Sequence, residues 1–272
     1  MNNIVMIILD SCRFDTFKAA NTKHFSKIGK IEKRYSYASW TAPSHYAFLM
    51  GIVPHESRSG KLAAQVYREE FTLWNKRIGT ENLSFEDLIP EISLVKKLKE
   101  LGYKTTGRVS MPVLNQNTVF SRYFDDYKLM DHHNSFAEMV QQINFNNNQP
   151  SFYFLNLGET HYPYMLSGDE IPHISGLHGV LKKWEQNDSG NGKNVNTAFS
   201  ALQFDELKKQ QVKAVKYCDT VFEKLLIKSP DNTYFIITSD HGELFGENGY
   251  FGHGPIMHPK VFEVFYIEGK IK

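Results

Sequence analysis

Three short stretches of the chain are almost unbroken in apolar character and then end abruptly in polar residues: "NIVMIILD" (3–10), "PSFYFLNLGE" (150–159) and "TYFIITSD" (233–240). Runs of this length without alternation predict strands covered on both faces, as in a parallel sheet. The polar residues then fall at the carboxyl ends of strands, where open α/β sheets hold their sites. Between the runs the apolar spacing turns helical. Leu94, Val95, Leu98 and Leu101 predict a helix closed by Gly102 and followed by a strand at 104–109. Leu207, Val212, Val215, Val221, Phe222 and Leu225 predict a long amphipathic helix over 205–228. This alternation is that of βαβ units, so the expected fold is α/β: a doubly wound, mostly parallel sheet flanked by helices. Residues 55–90 are polar and show no assignable period, and 186–198, "QNDSGNGKNVNTA", reads as a flexible, turn-rich loop. No repeat or linker divides the chain, so 1–272 is read as a single domain.

Composition narrows the function more than the fold. Lys and Arg number 31 against 30 Asp and Glu, a formal charge of +1, which gives no general attraction to nucleic acid or to an anionic membrane. No run approaches the roughly 20 apolar residues of a membrane span. The first apolar run lacks a basic flank and stops at Asp10, so it reads as a buried strand and not a signal segment. With only Cys12 and Cys218 there is no disulfide framework, and the expected location is the cytoplasm.

The candidate chemistry sits at the predicted strand ends. In "TSDHGELFGENGYFGHG" (238–254), Asp240 and His241 can present a carboxylate oxygen and an imidazole nitrogen to a divalent cation, and the glycines let the backbone bring His253 back toward them. A Gly-rich loop with surface histidines is the plainer alternative. Asp10, after the first strand, is either a helix N-cap or a third ligand beside Asp240 and His241. In "TAPSHYAFLMG" (41–51) Thr41 or its neighbour opens a helix, where the local positive potential favours an ionised hydroxyl and a bound oxyanion. A threonine hydroxyl is a weak nucleophile unless a base or a metal lowers its pKa. In "LGETHYPY" (157–164), Glu159 and His161 are candidate metal ligands, donors to substrate oxygens or general acids.

Four segments in this order resemble the alkaline phosphatase superfamily, in its sulfatase-like branch of sulfatases, phosphonate monoester hydrolases and phosphoethanolamine transferases. They are Asp10 in "ILDSCRFD", "TAPSHYAFLMG" at the nucleophile, "HYPY", and "TSDHGELFGENG". The resemblance implies a metal at Asp10, Thr41, Asp240 and His241, with zinc or manganese expected ahead of calcium or magnesium. It implies Thr41 as nucleophile, His161 and His253 as catalytic or substrate-binding groups, and a possible second metal at Glu159, His161 and His253. Ser44, His45 and Arg13 fall in supporting positions. Threonine cannot be converted to the formylglycine of sulfatases, and Ser11 replaces the second acid of their calcium site. The resemblance therefore points toward phosphorus: a small-molecule phosphate mono- or diester hydrolysed through a phosphothreonine. Sulfate-ester hydrolysis, phosphoryl transfer and a non-catalytic metal-binding module are the alternatives. The expected fold is one without the large C-terminal subdomain common in sulfatases.

Overall fold

In the computed structural model, which describes residues 1–83, 92–146, 148–164, 180–182 and 199–271, the first apolar run forms β1 (Asn3–Leu9). Its side chains alternate between two cores, which is why the run has no polar positions. Val5, Ile7 and Leu9 pack with Phe17 of α1 (Phe14–Ala19), Phe136 of α5 (Phe136–Gln142) and Phe222 of α6 (Ala201–Lys228). Ile4, Met6 and Ile8 point the other way, to Phe48 of α2 (Thr41–Leu49), Trp74 of α3 (Ala63–Ile78) and Leu98 of α4 (Leu94–Glu100).

Seven strands make the central sheet. They are β1, β2 (Glu32–Tyr35), β3 (Lys104–Val109), β4 (Asp126–Leu129), β5 (Ser151–Leu157), β7 (Thr233–Thr238) and β10 (Glu263–Gly269), in the order β2-β10-β7-β1-β5-β3-β4. The pairs β7–β1, β1–β5, β5–β3 and β3–β4 are parallel, while β10 runs antiparallel to both β7 and β2. The three apolar runs are thus adjacent strands, and their carboxyl ends lie side by side. A second sheet, β6 (Val180–Lys182), β9 (Tyr250–Gly252) and β8 (Leu244–Phe245), is built partly from the Gly-rich stretch read above as a loop. Beside it lies an aromatic cluster of Tyr162, Tyr164, Phe199, Phe245 and Phe251.

The expected helices and the strand at 104–109 are present, with Ser93 capping α4 through a hydrogen bond from the Lys96 amide (3.2 Å). The stretch 55–90 departs from its reading: it contains α3, sixteen residues long. Only Phe71, Trp74 and Ile78 supply its apolar stripe, because two buried positions on the same helix, Glu70 and Arg77, hold charges that satisfy each other. Arg77 also binds Glu268 through Nε (2.9 Å) and Tyr266 OH through Nη2 (2.8 Å), which ties α3 to β10. The loop expected at 186–198 lies outside the described residues.

Removing Arg77 takes a buried cation from both Glu70 and Glu268, which keep Arg34 and the Tyr234 hydroxyl as their other partners, at a cost of about 3 kcal/mol. Arg77→Met is therefore expected to lower the urea midpoint by that equivalent, whereas an unchanged midpoint removes Arg77 from this role.

Candidate metal centre and nucleophile

Asp10 follows β1, and Asp240 and His241 follow β7; the register that pairs Ile8 with Thr238 sets these ends level. One ligand atom from each of the three lies within 4.8 Å of the other two, and all three residues are buried. His241 Nε2 is 3.3 Å from Asp240 Oδ2 and 3.9 Å from Asp10 Oδ1. Thr41 Oγ1 joins them at 3.3 Å from His241 Nε2 and 3.5 Å from Asp10 Oδ1.

Thr41 is the first residue of α2, not its cap. The N-cap position is Trp40, which makes no side-chain cap bond, so the threonine hydroxyl is committed to the two strand ends. Ser44, one turn on, donates to the Asp240 carbonyl (2.8 Å). His45 donates Nδ1–H to the Thr41 carbonyl (2.8 Å) and accepts at Nε2 from Asn156 (3.3 Å). Burial takes the His45 imidazole down to about 4, so it is neutral at pH 7.

The donor set fits a divalent cation on three observations. Asp240 Oδ2 is buried with no hydrogen-bond partner, although Oδ1 accepts from the amides of Ser11 (3.0 Å) and His241 (2.9 Å). The Nδ1–H of His241 goes to the Gly242 carbonyl (2.9 Å), which turns the Nε2 lone pair toward the carboxylates, as in metal-binding histidines. Finally, two buried carboxylates share one site. Burial raises Asp10, but the neighbouring His161, His241 and His45 outweigh it and bring Asp10 down to about 2. Burial and the charge of Asp10 push Asp240 well above the usual carboxylate range.

The other candidates separate. His161 and His253 both line the cleft above Thr41, with ring centroids 5.2 Å apart, and His253 lies 4.3 Å from the His241 ring. Nδ1 of His161 meets its neighbour's carbonyl, that of Tyr162 (2.7 Å). Glu159 is not brought to this centre. Its Oε1 accepts from the Phe136 amide at the start of α5 (2.8 Å), and burial pushes the carboxyl up to about 7. Among the described residues the only three-membered ligand cluster is Asp10, Asp240 and His241, so the second-metal set of Glu159, His161 and His253 is not assembled. Arg13 faces away from the cleft, paired with Asp15 through Nη2 and Oδ2 (2.8 Å) and with Glu247 (2.6 Å), and it supports the strand-end loops from behind.

Four residues escaped the sequence reading. Asn156 donates to Asp10 Oδ2 (2.9 Å), and its signal was a polar residue inside an apolar strand. Gln211 of α6 donates to the carbonyls of Ser11 and Thr160 (both 3.0 Å). Ser11 itself has φ 58°, a strained conformation for a non-glycine residue, and this hydrogen bond holds it there. Glu243 and Tyr164 form a chain behind His253: the tyrosine hydroxyl donates to Oε2, and Oε1 lies 3.3 Å from His253 Nδ1. Glu243 stood within the Asp-His-Gly-Glu motif without a role assigned to it.

The family model described as Sulfatase matches residues 2–260. The chain belongs to the sulfatase family. It thereby falls in the sulfatase-like branch of the alkaline phosphatase superfamily, whose members use divalent metals. Solved structures share its fold at low identity. The zinc complex of the C-terminal periplasmic domain of EcEptC from Escherichia coli is 13% identical with a TM-score of 0.56, over 100% of this chain and 73% of that one. BT1596, a 2-O GAG sulfatase, is 13% identical at 0.57, over 100% and 65%. The lipooligosaccharide phosphoethanolamine transferase EptA of Neisseria meningitidis is 13% identical at 0.57, over 100% and 48%. A search of curated proteins finds no significant match. No helix among the described residues of this sulfatase-family chain is long and apolar enough to cross a membrane.

Asp240 costs stability in metal-free protein. Its folded pKa is raised above the unfolded one, so stability falls as pH rises from the ordinary carboxylate range through the raised value. Asp240→Asn is therefore expected to raise the Tm in EDTA at pH 7 by a few degrees while weakening zinc affinity about 100-fold or more by calorimetry. A lower Tm in EDTA, or unchanged zinc affinity, contradicts this account.

Proposed function

We propose that this protein hydrolyses phosphate mono- or diesters through a phosphothreonine at Thr41. The observation that carries the reading is the Thr41 hydroxyl at 3.3 Å from His241 Nε2 and 3.5 Å from Asp10, at the first position of α2 and released from capping. Asp10, Asp240, His241 and Thr41 would hold the cation, and its nitrogen-plus-oxygen donor set suits zinc or manganese ahead of calcium or magnesium. Such a cation lowers the pKa of the hydroxyl and offsets phosphoryl charge.

Thr41 Oγ1 attacks phosphorus in line, and the amide end of α2 faces the non-bridging oxygens. A cleft histidine, His161 or His253, each engaged at Nδ1, takes the Thr41 hydroxyl proton at Nε2 and, as the imidazolium, gives it to the alcohol oxygen as the P–O bond to that alcohol breaks. Water then cleaves the P–Oγ1 bond, with the proton passing to a cleft histidine. Threonine, unlike cysteine or serine, is no formylglycine precursor, which supports phosphorus as the electrophile. Membership of the sulfatase family supports sulfate esters or group transfer as the second reading. A remaining, non-catalytic role as a metal-binding module gives the placed hydroxyl nothing to do.

We read 1–272 as one catalytic domain acting on a small-molecule ester. A cytoplasmic location rests on the two buried free thiols, Cys12 and Cys218, and two structural relatives are periplasmic domains.

With zinc or manganese loaded, kcat/KM for phosphate mono- or diesters is expected to exceed that for the matched sulfate esters at least tenfold. Thr41→Ala is expected to lower it about 1,000-fold or more with an unchanged Tm. Quenched wild-type enzyme should carry one phosphoryl group on the peptide that contains Thr41. Faster sulfate turnover, or an active Thr41→Ala variant, rejects the reading.

A further inference from the structure

The cleft above Thr41 encloses about 490 Å³, several times what a phosphoryl group fills. Its lining is of two chemical kinds. One is imidazole, from His161 and His253, together with His133, whose ring centroid is 6.3 Å from that of His161. The other is apolar: Trp40 just before α2, Met111, Pro112 and Val113 after β3, and Pro255 after β9. Trp40 and Val113 are 42% and 47% exposed, and each is a large apolar side chain held against the mouth of a reaction site. Met111 is nearly buried and its amide is fixed by Asn156 Oδ1 (3.2 Å), the residue that also binds Asp10. The apolar lining is thus registered to the reacting centre through one buried side chain.

In-line displacement puts the leaving oxygen on the far side of phosphorus from Thr41 Oγ1, so the alcohol part of the ester extends into the rest of the cleft. We infer that the substrate is a phosphate ester of an apolar, ring-bearing alcohol, whose ring lies on Trp40 against Met111, Val113 and Pro255 while the imidazoles face the phosphoryl oxygens. This rests on the phosphate-ester reading above. Covering Trp40 and Val113 removes apolar surface from water, and the flat indole face suits a ring more than a chain.

The test compares 2-phenylethyl phosphate with the phosphate of diethylene glycol, each as a monoester and as a methyl diester, on zinc-loaded enzyme. The glycol is the better leaving group, so preference for the phenyl ester cannot come from leaving ability. A preference of about tenfold or more in kcat/KM is expected, carried mainly by KM. Trp40→Ala and Val113→Glu should each bring the ratio toward one. Because Trp40 adjoins Thr41, the Val113→Glu variant, at an exposed position on a different segment of the chain, guards against a simple defect in the nucleophile turn. Equal rates on both esters, or a preference that survives both substitutions, overturn the inference while leaving phosphate hydrolysis standing. If neither ester turns over, the phosphate reading fails. The apolar lining is then judged by calorimetry with 2-phenylethyl and methyl phosphonates and sulfonates: tighter binding of the phenyl compounds that is lost in Val113→Glu supports it, and equal binding rejects it.

Discussion

Two carboxylates buried side by side, with one oxygen left without a partner, set the terms for the rest of this molecule. Asp10 and Asp240 repel each other in a place where water cannot screen them. Everything near them is arranged to hold that geometry. Ser11 is bent to bring its amide to Asp240 and its hydroxyl to Asp10, Gln211 secures the bend from the helix behind, and Asn156 reaches across from the neighbouring strand. Asp240 Oδ2 is the one oxygen of the pair with no hydrogen-bond partner among the described residues, and a cation held there would offset the repulsion.

The same arrangement explains why threonine serves at position 41. A residue whose hydroxyl capped its own helix would be held by the backbone amides of the next turn. Here the tryptophan before it takes the cap position with no side-chain bond, and the hydroxyl is left to the strand ends. The helix still contributes its amide dipole at that spot, so the proposed nucleophile, the candidate cation ligands and the helix amides meet without competing for the same atoms.

Much of this was legible in the sequence because parallel strands covered on both faces leave so simple a trace. The three apolar runs marked adjacent strands, and the polar residues after them marked one end of the sheet. What the sequence hid depended on pairing between distant side chains. Helix α3 looked structureless because Glu70 and Arg77, which read as solvated charges, are buried against each other and against β10. Glu159 looked like a ligand because it stands two residues from His161, but the turn after β5 sends the histidine into the cleft and the glutamate to the amide of Phe136. Asn156 and Gln211 gave little signal, since a buried amide's value lies in which carbonyl or carboxylate it meets. Glu243 had a motif around it but no visible partner, because Tyr164 lies 79 residues away.

The central position of β1 has a temporal consequence. The strand precedes both of its neighbours in the chain, pairing Ile4 with Phe152 on one side and Asn3 with Thr233 on the other. A growing chain holds Asp10 without Asp240 or His241 until β7 has been made. The cluster therefore forms by closure of one of the longest loops in the described sheet. Until β7 docks beside β1, Asp10 stands apart from Asp240 and His241, so the three candidate ligands become one site only when the sheet closes.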